Sequence, residues 1–218
     1  MPDPALWQEI QAAISGGYAI AAEILAPAHA HYRPSGPLDP ISPGNLLGAL
    51  PASFDANNYL YSRPNLYGKP TWTGLWDGAQ TQPGDYLIGP QGTWFIAAQQ
   101  PLLPMVAVSC NEVLDLWRPD GCGATGALGY GGATGQPDRL VARGWPASVL
   151  TKGRGDKGDL QLPGDVRTPW AEVLLPPIPG TAVQFADTLI NAGGIRHKVS
   201  SFELTDLGWR LLCLVAVP

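Results

Sequence analysis

Residues 85–98 read DYLIGPQGTWFIAA, and residues 187–201 read DTLINAGGIRHKVSS. In each, an Asp is followed by x-Leu-Ile, three residues, a glycine, and then an aromatic or His at the third position beyond. Asp85, Leu87, Ile88, Gly92 and Phe95 thus align with Asp187, Leu189, Ile190, Gly194 and His197. A short apolar run, a glycine turn and a return run is the pattern of a β-hairpin. Each hairpin leads into a further apolar strand, PMVAVSC at 104–110 or RLLCLVAV at 210–217. A lone hairpin is marginal in water, and wrapping several strands into a small barrel removes the exposed edges. The match is short, so a structural repeat and a chance echo both fit it.

Outward from these hairpins the texture stays β. TWTGLWDG at 71–78 places two tryptophans around Gly74 and ends on an Asp-Gly turn signal. Residues 105–110 form a buried strand, and 113–117 alternate. RLVARGWPASVL (139–150), WAEVLL (170–175), TLIN (188–191), IRHKVSSFEL (195–204) and GWRLLCLVAV (208–217) add strands. Turns are expected at 176–180, 191–194 and 206–208. Residues 3–26 read as helical, with Asp3 as cap, Pro4 at the first position and Leu6, Ile10 and Ile14 at helical spacing. Gly16-Gly17 predicts two short helices or a kink.

With 27 glycines and 23 prolines in 218 residues, many turns and few long helices are expected. The fold class is mainly β: small β-barrel or sandwich modules, a short N-terminal helical segment and long Gly/Pro-rich loops. Four segments follow. Residues 1–58 form the helix and an extended loop that drapes over its own barrel or over a neighbour. Residues 59–118 form a first β module, and 119–169 a glycine-rich linker and arm. Residues 170–218 form a C-terminal β module that packs with the first as one domain or stands as a second barrel.

Composition narrows the function. Charged residues are only 14% of the chain and the net charge is −5, which leaves no phosphate-tracking basic footprint. DNA sliding through a mildly acidic channel is compatible with that charge. No apolar run reaches the ~20 residues of a membrane helix, and Asp3 and Glu9 stand where a secretory leader needs basic residues. Cys110 and Cys213 lie in apolar runs and read as buried thiols rather than redox groups. Cytoplasmic synthesis follows. There is no phosphate-binding glycine loop, no G-x-S-x-G elbow and no metal-ligand spacing. His29 and His31 read as exposed loop histidines, and His197 as a strand residue facing out of the pleat. Asp85 and Asp187 read as turn-forming residues ahead of a strand. The expectation is a non-catalytic protein with no cofactor and no metal.

GDYLIGPQGTWFIAAQQPLLPMVAVSCN (84–111), ARGWPASVL (142–150), LPGDVRTPWAEVLLP (162–176) and ELTDLGWRLL (203–212) resemble segments of structural proteins of tailed phages and prophages. The closing module, D-x-L-I-x-x-x-G-x-R-H-x-V followed by ELTDLGWRL, is similar to the strand–turn–strand core of head-closure and head-to-tail joining proteins. An aromatic is common there where this chain has His197. The resemblance implies a virion neck protein: a homo-oligomeric ring of six or twelve copies under the portal, acting as connector, stopper or collar. Its partners would be portal or adaptor and tail proteins. DNA would pass through the ring without sequence-specific binding, and no membrane is involved. A tail-terminator or capsid-decorating protein is the alternative within the particle, and a ligand-binding β domain using tryptophans as stacking platforms is the alternative outside it. Candidate subunit contacts are Tyr130 in the glycine-rich loop, Trp145 beside its turn, and Arg154, Asp156 and Lys157 in the charged arm.

Overall fold

A computed structural model of the chain describes residues 4–55, 69–119, 138–152 and 169–216. Among the described residues, one α-helix, α1 (Pro4–Leu25), precedes thirteen strands. The first seven are β1 (Ala28–Tyr32), β2 (Leu46–Pro51), β3 (Ser53–Asp55), β4 (Thr71–Leu75), β5 (Tyr86–Gly89), β6 (Gly92–Ala98) and β7 (Met105–Cys110). They form one antiparallel sheet in the order β2-β1-β5-β6-β7-β4-β3. The remaining six are β8 (Glu112–Arg118), β9 (Arg139–Lys152), β10 (Trp170–Leu175), β11 (Thr188–Asn191), β12 (Arg196–Thr205) and β13 (Gly208–Ala216). They close into a barrel in the order β10-β13-β12-β11-β8-β9.

The two units share one plan. In the barrel, β9 is long enough to pair with β8 through Ala147 and with β10 from Ser148 onward. In the first unit that role is split. β2 pairs with β1, β3 pairs with β4, and only Ala52 separates them. The two edges of the seven-stranded sheet are therefore successive pieces of one stretch, and the sheet curls round to meet itself. The rest corresponds strand for strand, β1-β5-β6-β7-β4 with β8-β11-β12-β13-β10. Even a β-bulge recurs, between Ile96 and Ala98 and between Val199 and Ser201.

The echo between 85–98 and 187–201 is thus a structural repeat, with one correction. Leu87 faces Trp94 across the first hairpin, and Leu189 faces His197 across the second. The turn between β11 and β12 is one residue longer, so His197 is the counterpart of Trp94 and not of Phe95.

Alternation sets two apolar layers. Trp94, Ile96 and Leu87 point into the first unit with Trp76, Met105 and Ala107. Tyr86, Phe95, Ala97 and Val108 point the other way and join the core of the barrel, with Leu114, Leu116, Trp145 and Leu211. From Trp94 to Ala98 β6 is therefore buried on both faces, which is why WFIAA runs apolar without alternation. The Tyr86 hydroxyl donates to Pro146 O at 2.8 Å across the junction. Only Asn111 separates β7 from β8, and the two units share a buried apolar cluster.

Four expectations change. The boundary between β units falls at Asn111 and not at residue 118, because β8 pairs with β9 and β11. Residues 28–55 are not an extended loop; they supply three strands, with only 33–45 draped. That stretch crosses to the barrel of the same chain, where Asp39 N–H donates to Arg143 O at 2.9 Å and Arg143 N–H to Pro37 O at 3.1 Å. Residues 139–150, read as a strand but grouped with the linker, belong to β9 and so to the barrel. The helix runs unbroken through Gly16-Gly17: tertiary contacts of Tyr18 and Ala22 offset a glycine cost of about 1 kcal/mol each. The Asp3 cap and most of the segments 119–137 and 151–169 lie outside the described residues.

The β12–β13 turn depends on Gly208. Its φ is +108°, and a Cβ there would sit 2.5 Å from Leu175 O. Gly208→Ala is expected to cost about 2–3 kcal/mol, read as a lowered urea midpoint. An unchanged midpoint would contradict this reading of the turn.

Candidate functional site

Each unit holds one buried carboxylate at the mouth of its hairpin. In the first, Arg33 follows the last residue of β1. Its Nε donates to Asp85 Oδ1 at 2.9 Å, and its Nη2 to Asp85 Oδ2 at 2.7 Å and to Gln80 O at 3.1 Å. The backbone N–H of Gln82 donates to the same carboxylate at 3.0 Å. In the second, Arg118 ends β8. Its Nε donates to Asp187 Oδ1 at 2.8 Å, and its Nη2 to Asp187 Oδ2 at 2.9 Å and to Ala182 O at 2.8 Å. Gln184 N–H completes the set at 2.8 Å. Bond for bond the two clamps are the same: a carbonyl five residues before the Asp and an amide three before it. In both, the residue before the Asp has positive φ, +96° at Gly84 and +66° at Ala186.

The clamps fix backbone. The Asp closes its own approach turn through the amide three residues back, while the forked guanidinium ties that turn to the neighbouring strand. The expected turn-forming role of Asp85 and Asp187 is what the geometry gives. The two carboxylates sit in different units and do not form an acid–base pair.

The first clamp has an extra member. His31 Nε2 donates to Asp85 Oδ2 at 2.8 Å, with both groups buried. Burial by itself would raise the Asp85 pKa, but hydrogen bonds from Arg33, His31 and Gln82 outweigh it and hold the carboxyl below its usual range. With all its oxygens engaged, Asp85 is a charge anchor rather than a proton acceptor. The repeat position of His31 is Leu116, so the histidine is an addition to the shared plan.

His29 and His31 are therefore not exposed loop residues. Both point inward from β1, because alternation puts residues 29, 31 and 33 on the inner face. His29 Nδ1 donates to Pro27 O at 2.9 Å, its ring meets Phe54 edge-on at 5.5 Å, and it lies against Gly89. A Cβ at Gly89 would stand 2.2 Å from that ring, so the glycine makes the room. His197 is likewise buried, with neither ring nitrogen hydrogen-bonded. Burial lowers the pKa of both, opposed weakly by the Pro27 contact for His29 and by Glu112 for His197.

Among the described residues no cluster of three or more His, Cys, Asp or Glu could hold a metal. Burial raises the Cys110 thiol and pushes the Cys213 thiol up to about 12. Trp145, expected as a subunit anchor, is 1% exposed; its ring packs 6.1 Å from Tyr86, and its Nε1 donates to Pro37 O at 2.7 Å. It belongs to the chain's own core and has no face to offer a neighbour. Tyr130, Arg154, Asp156 and Lys157 lie outside the described residues.

Apolar surface lies elsewhere. Leu6, Trp7, Ile10, Ile20, Ile24 and Leu25 of α1 are exposed, and so are Phe202, Leu204 and Leu207 at the β12–β13 tip. The exposed helix residues were visible in the sequence as helical periodicity. What the periodicity could not tell is that the apolar side faces away from the body. Compared with known proteins, the chain matches no family model, no curated protein and no solved structure.

The buried histidines give a pH dependence. The folded pKa of His29 and of His197 lies below the ordinary 6.5, so the unfolded chain takes up protons first. Stability is full above about pH 6.5 and is lost as pH falls from there through the folded value, by up to about 1.4 kcal/mol per unit per histidine. His197→Phe, which installs an aromatic as at Trp94, is expected to flatten part of that slope. Urea unfolding at pH 7.5 and 5.5 measures it, and an unchanged slope would contradict the assignment.

Proposed function

We propose that the chain is a structural subunit of a tailed-phage particle, a head-to-tail connector, stopper or collar protein that assembles as a ring under the portal. The observation that carries this reading is exposed apolar surface on separate elements, α1 and the β12–β13 tip, of a two-unit body with a shared core. Contiguous exposed apolar patches mark contact sites in soluble proteins. A subunit of an assembly needs more than one contact face, and the separated patches on α1 and the β12–β13 tip offer two. The segments that resemble structural proteins of tailed phages include β5–β6 and part of β9, and the module that resembles head-closure and head-to-tail joining proteins spans β11–β13. The net charge of −5 suits a channel through which DNA slides without sticking.

A cleft of about 380 Å³ favours a second reading, a ligand-binding β domain. It is lined by Val108, Leu150, Leu174 and Trp209, with Glu172 and Arg210 at its polar side. Its volume lies within the range of small-ligand sites. The tryptophans offer that reading little: Trp76, Trp94 and Trp145 are buried, and Trp209 is nearly so.

Copy number in intact particles separates the readings. The expected result is six or twelve chains per portal ring, measured by quantitative mass spectrometry of purified virions. Hundreds of copies would move the protein to the capsid surface, and absence from particles would overturn the virion assignment.

A further inference from the structure

The N-terminal helix is inside out. Its body side carries Gln11, Ser15, Tyr18 and Ala22. Gln11 Oε1 accepts the Leu102 N–H at 2.9 Å, Ser15 lies against Gly78, Tyr18 packs on the first core, and Ala22 is buried. The outward side carries Leu6, Ile10, Ala13, Gly17, Ile20 and Ile24, all exposed. Ile20 and Ile24 reach 62% and 77% exposure. Their spacing alternates four and three residues, the a/d seam of a helix that packs against another helix.

The seam is also palindromic about residue 15. Leu6 mirrors Ile24, Ile10 mirrors Ile20, and Ala13 mirrors Gly17. An antiparallel partner with the same sequence would meet large side chains with large ones at both ends. At the crossing it would set small against small, where two backbones approach most closely. A mirror of this kind is what a two-fold contact between identical helices requires.

We infer that two copies of this chain pair through α1, antiparallel, about a two-fold axis beside residue 15. The size is adequate. At roughly 100 Å² for each large side chain taken out of water, the four large seam residues of each copy bring about 800 Å² together. The flanks of a helix about 33 Å long raise this toward the ~1,200 Å² of a stable interface. The charge pattern bears on which partner fits and on how salt acts. Residues 4–25 hold Glu9 and Glu23 and no Lys or Arg, so the face is poorly suited to an anionic lipid surface. Antiparallel pairing brings Glu9 of each copy beside Glu23 of the other at the seam's flank. Salt screens that repulsion, so the pair tightens as salt is added. The helix pair is independent of the ring: a polar ring joins two different faces, and this contact joins one face to itself.

The experiment uses the purified full chain, with mass read by light scattering and by native mass spectrometry. The wild type is expected at twice the 23.0 kDa chain mass at micromolar concentration. Ile10→Lys and Ile20→Glu, both at exposed positions, are expected to stay folded by circular dichroism and to weaken pairing roughly 100-fold. Mixing the two variants restores a pair. Antiparallel packing sets the introduced lysine of one copy against the introduced glutamate of the other, and it leaves Ile20 of the first facing Ile10 of the second. Parallel packing would oppose each substitution to its own position and give no rescue. A monomeric wild type, an oligomer unchanged by either substitution, or a mixture without recovered pairs would overturn the proposal. So would wild-type binding to neutral lipid vesicles in place of self-association.

Discussion

A carboxylate sealed inside a β structure must be answered by charge, and this chain answers it twice with the same set of bonds. Asp85 and Asp187 each sit at the point where the chain turns into the central hairpin of its unit. A guanidinium from the adjoining strand grips both oxygens, and a backbone amide three residues back completes the shell. An uncompensated charge there would be costly, so turn, hairpin and neighbouring strand come as one cooperative piece. Hairpin placement in turn decides which side chains of β5, β6, β11 and β12 face each core, because a one-residue slip would invert them all.

From that constraint the architecture follows. Two units of one plan stand in tandem, joined through the single residue Asn111, and the first unit's hairpin strands are apolar on both faces because they are shared between two cores. The draped segment 33–45 crosses to β9 and ties the junction from outside through Asp39 and Arg143. The chain's exposed apolar side chains include a row on α1 and a group at the β12–β13 tip. The histidines are interior residues of this scaffold, one of them recruited into a clamp.

Much of this was legible in the sequence and some was not, for physical reasons. β4 through β13 announce themselves by apolar alternation and glycine turns. The strand AHAHY does not, because two histidines imitate polar outward positions when they are inward ones. LLGALP carries a glycine and a proline that speak for a loop, yet it lies at an edge, where proline is tolerated. The repeat was visible through Asp-x-Leu-Ile, but the extra turn residue hid the equivalence of Trp94 and His197. The clamps themselves were out of reach. Their partners lie 52 and 69 residues apart, and a lone Arg at the end of a strand looks like ordinary surface.

Each unit is held by its own Arg–Asp clamp, and the two clamps are equivalent; the rest of the account depends on that. Double-mutant cycles in urea unfolding test it most directly, pairing Arg33→Met with Asp85→Asn and Arg118→Met with Asp187→Asn. Coupling of about 2 kcal/mol or more is expected within each clamp, and less than about 0.5 kcal/mol for the crossed pair of Arg33 and Asp187. Coupling near zero within either clamp, or strong coupling across them, would contradict the account.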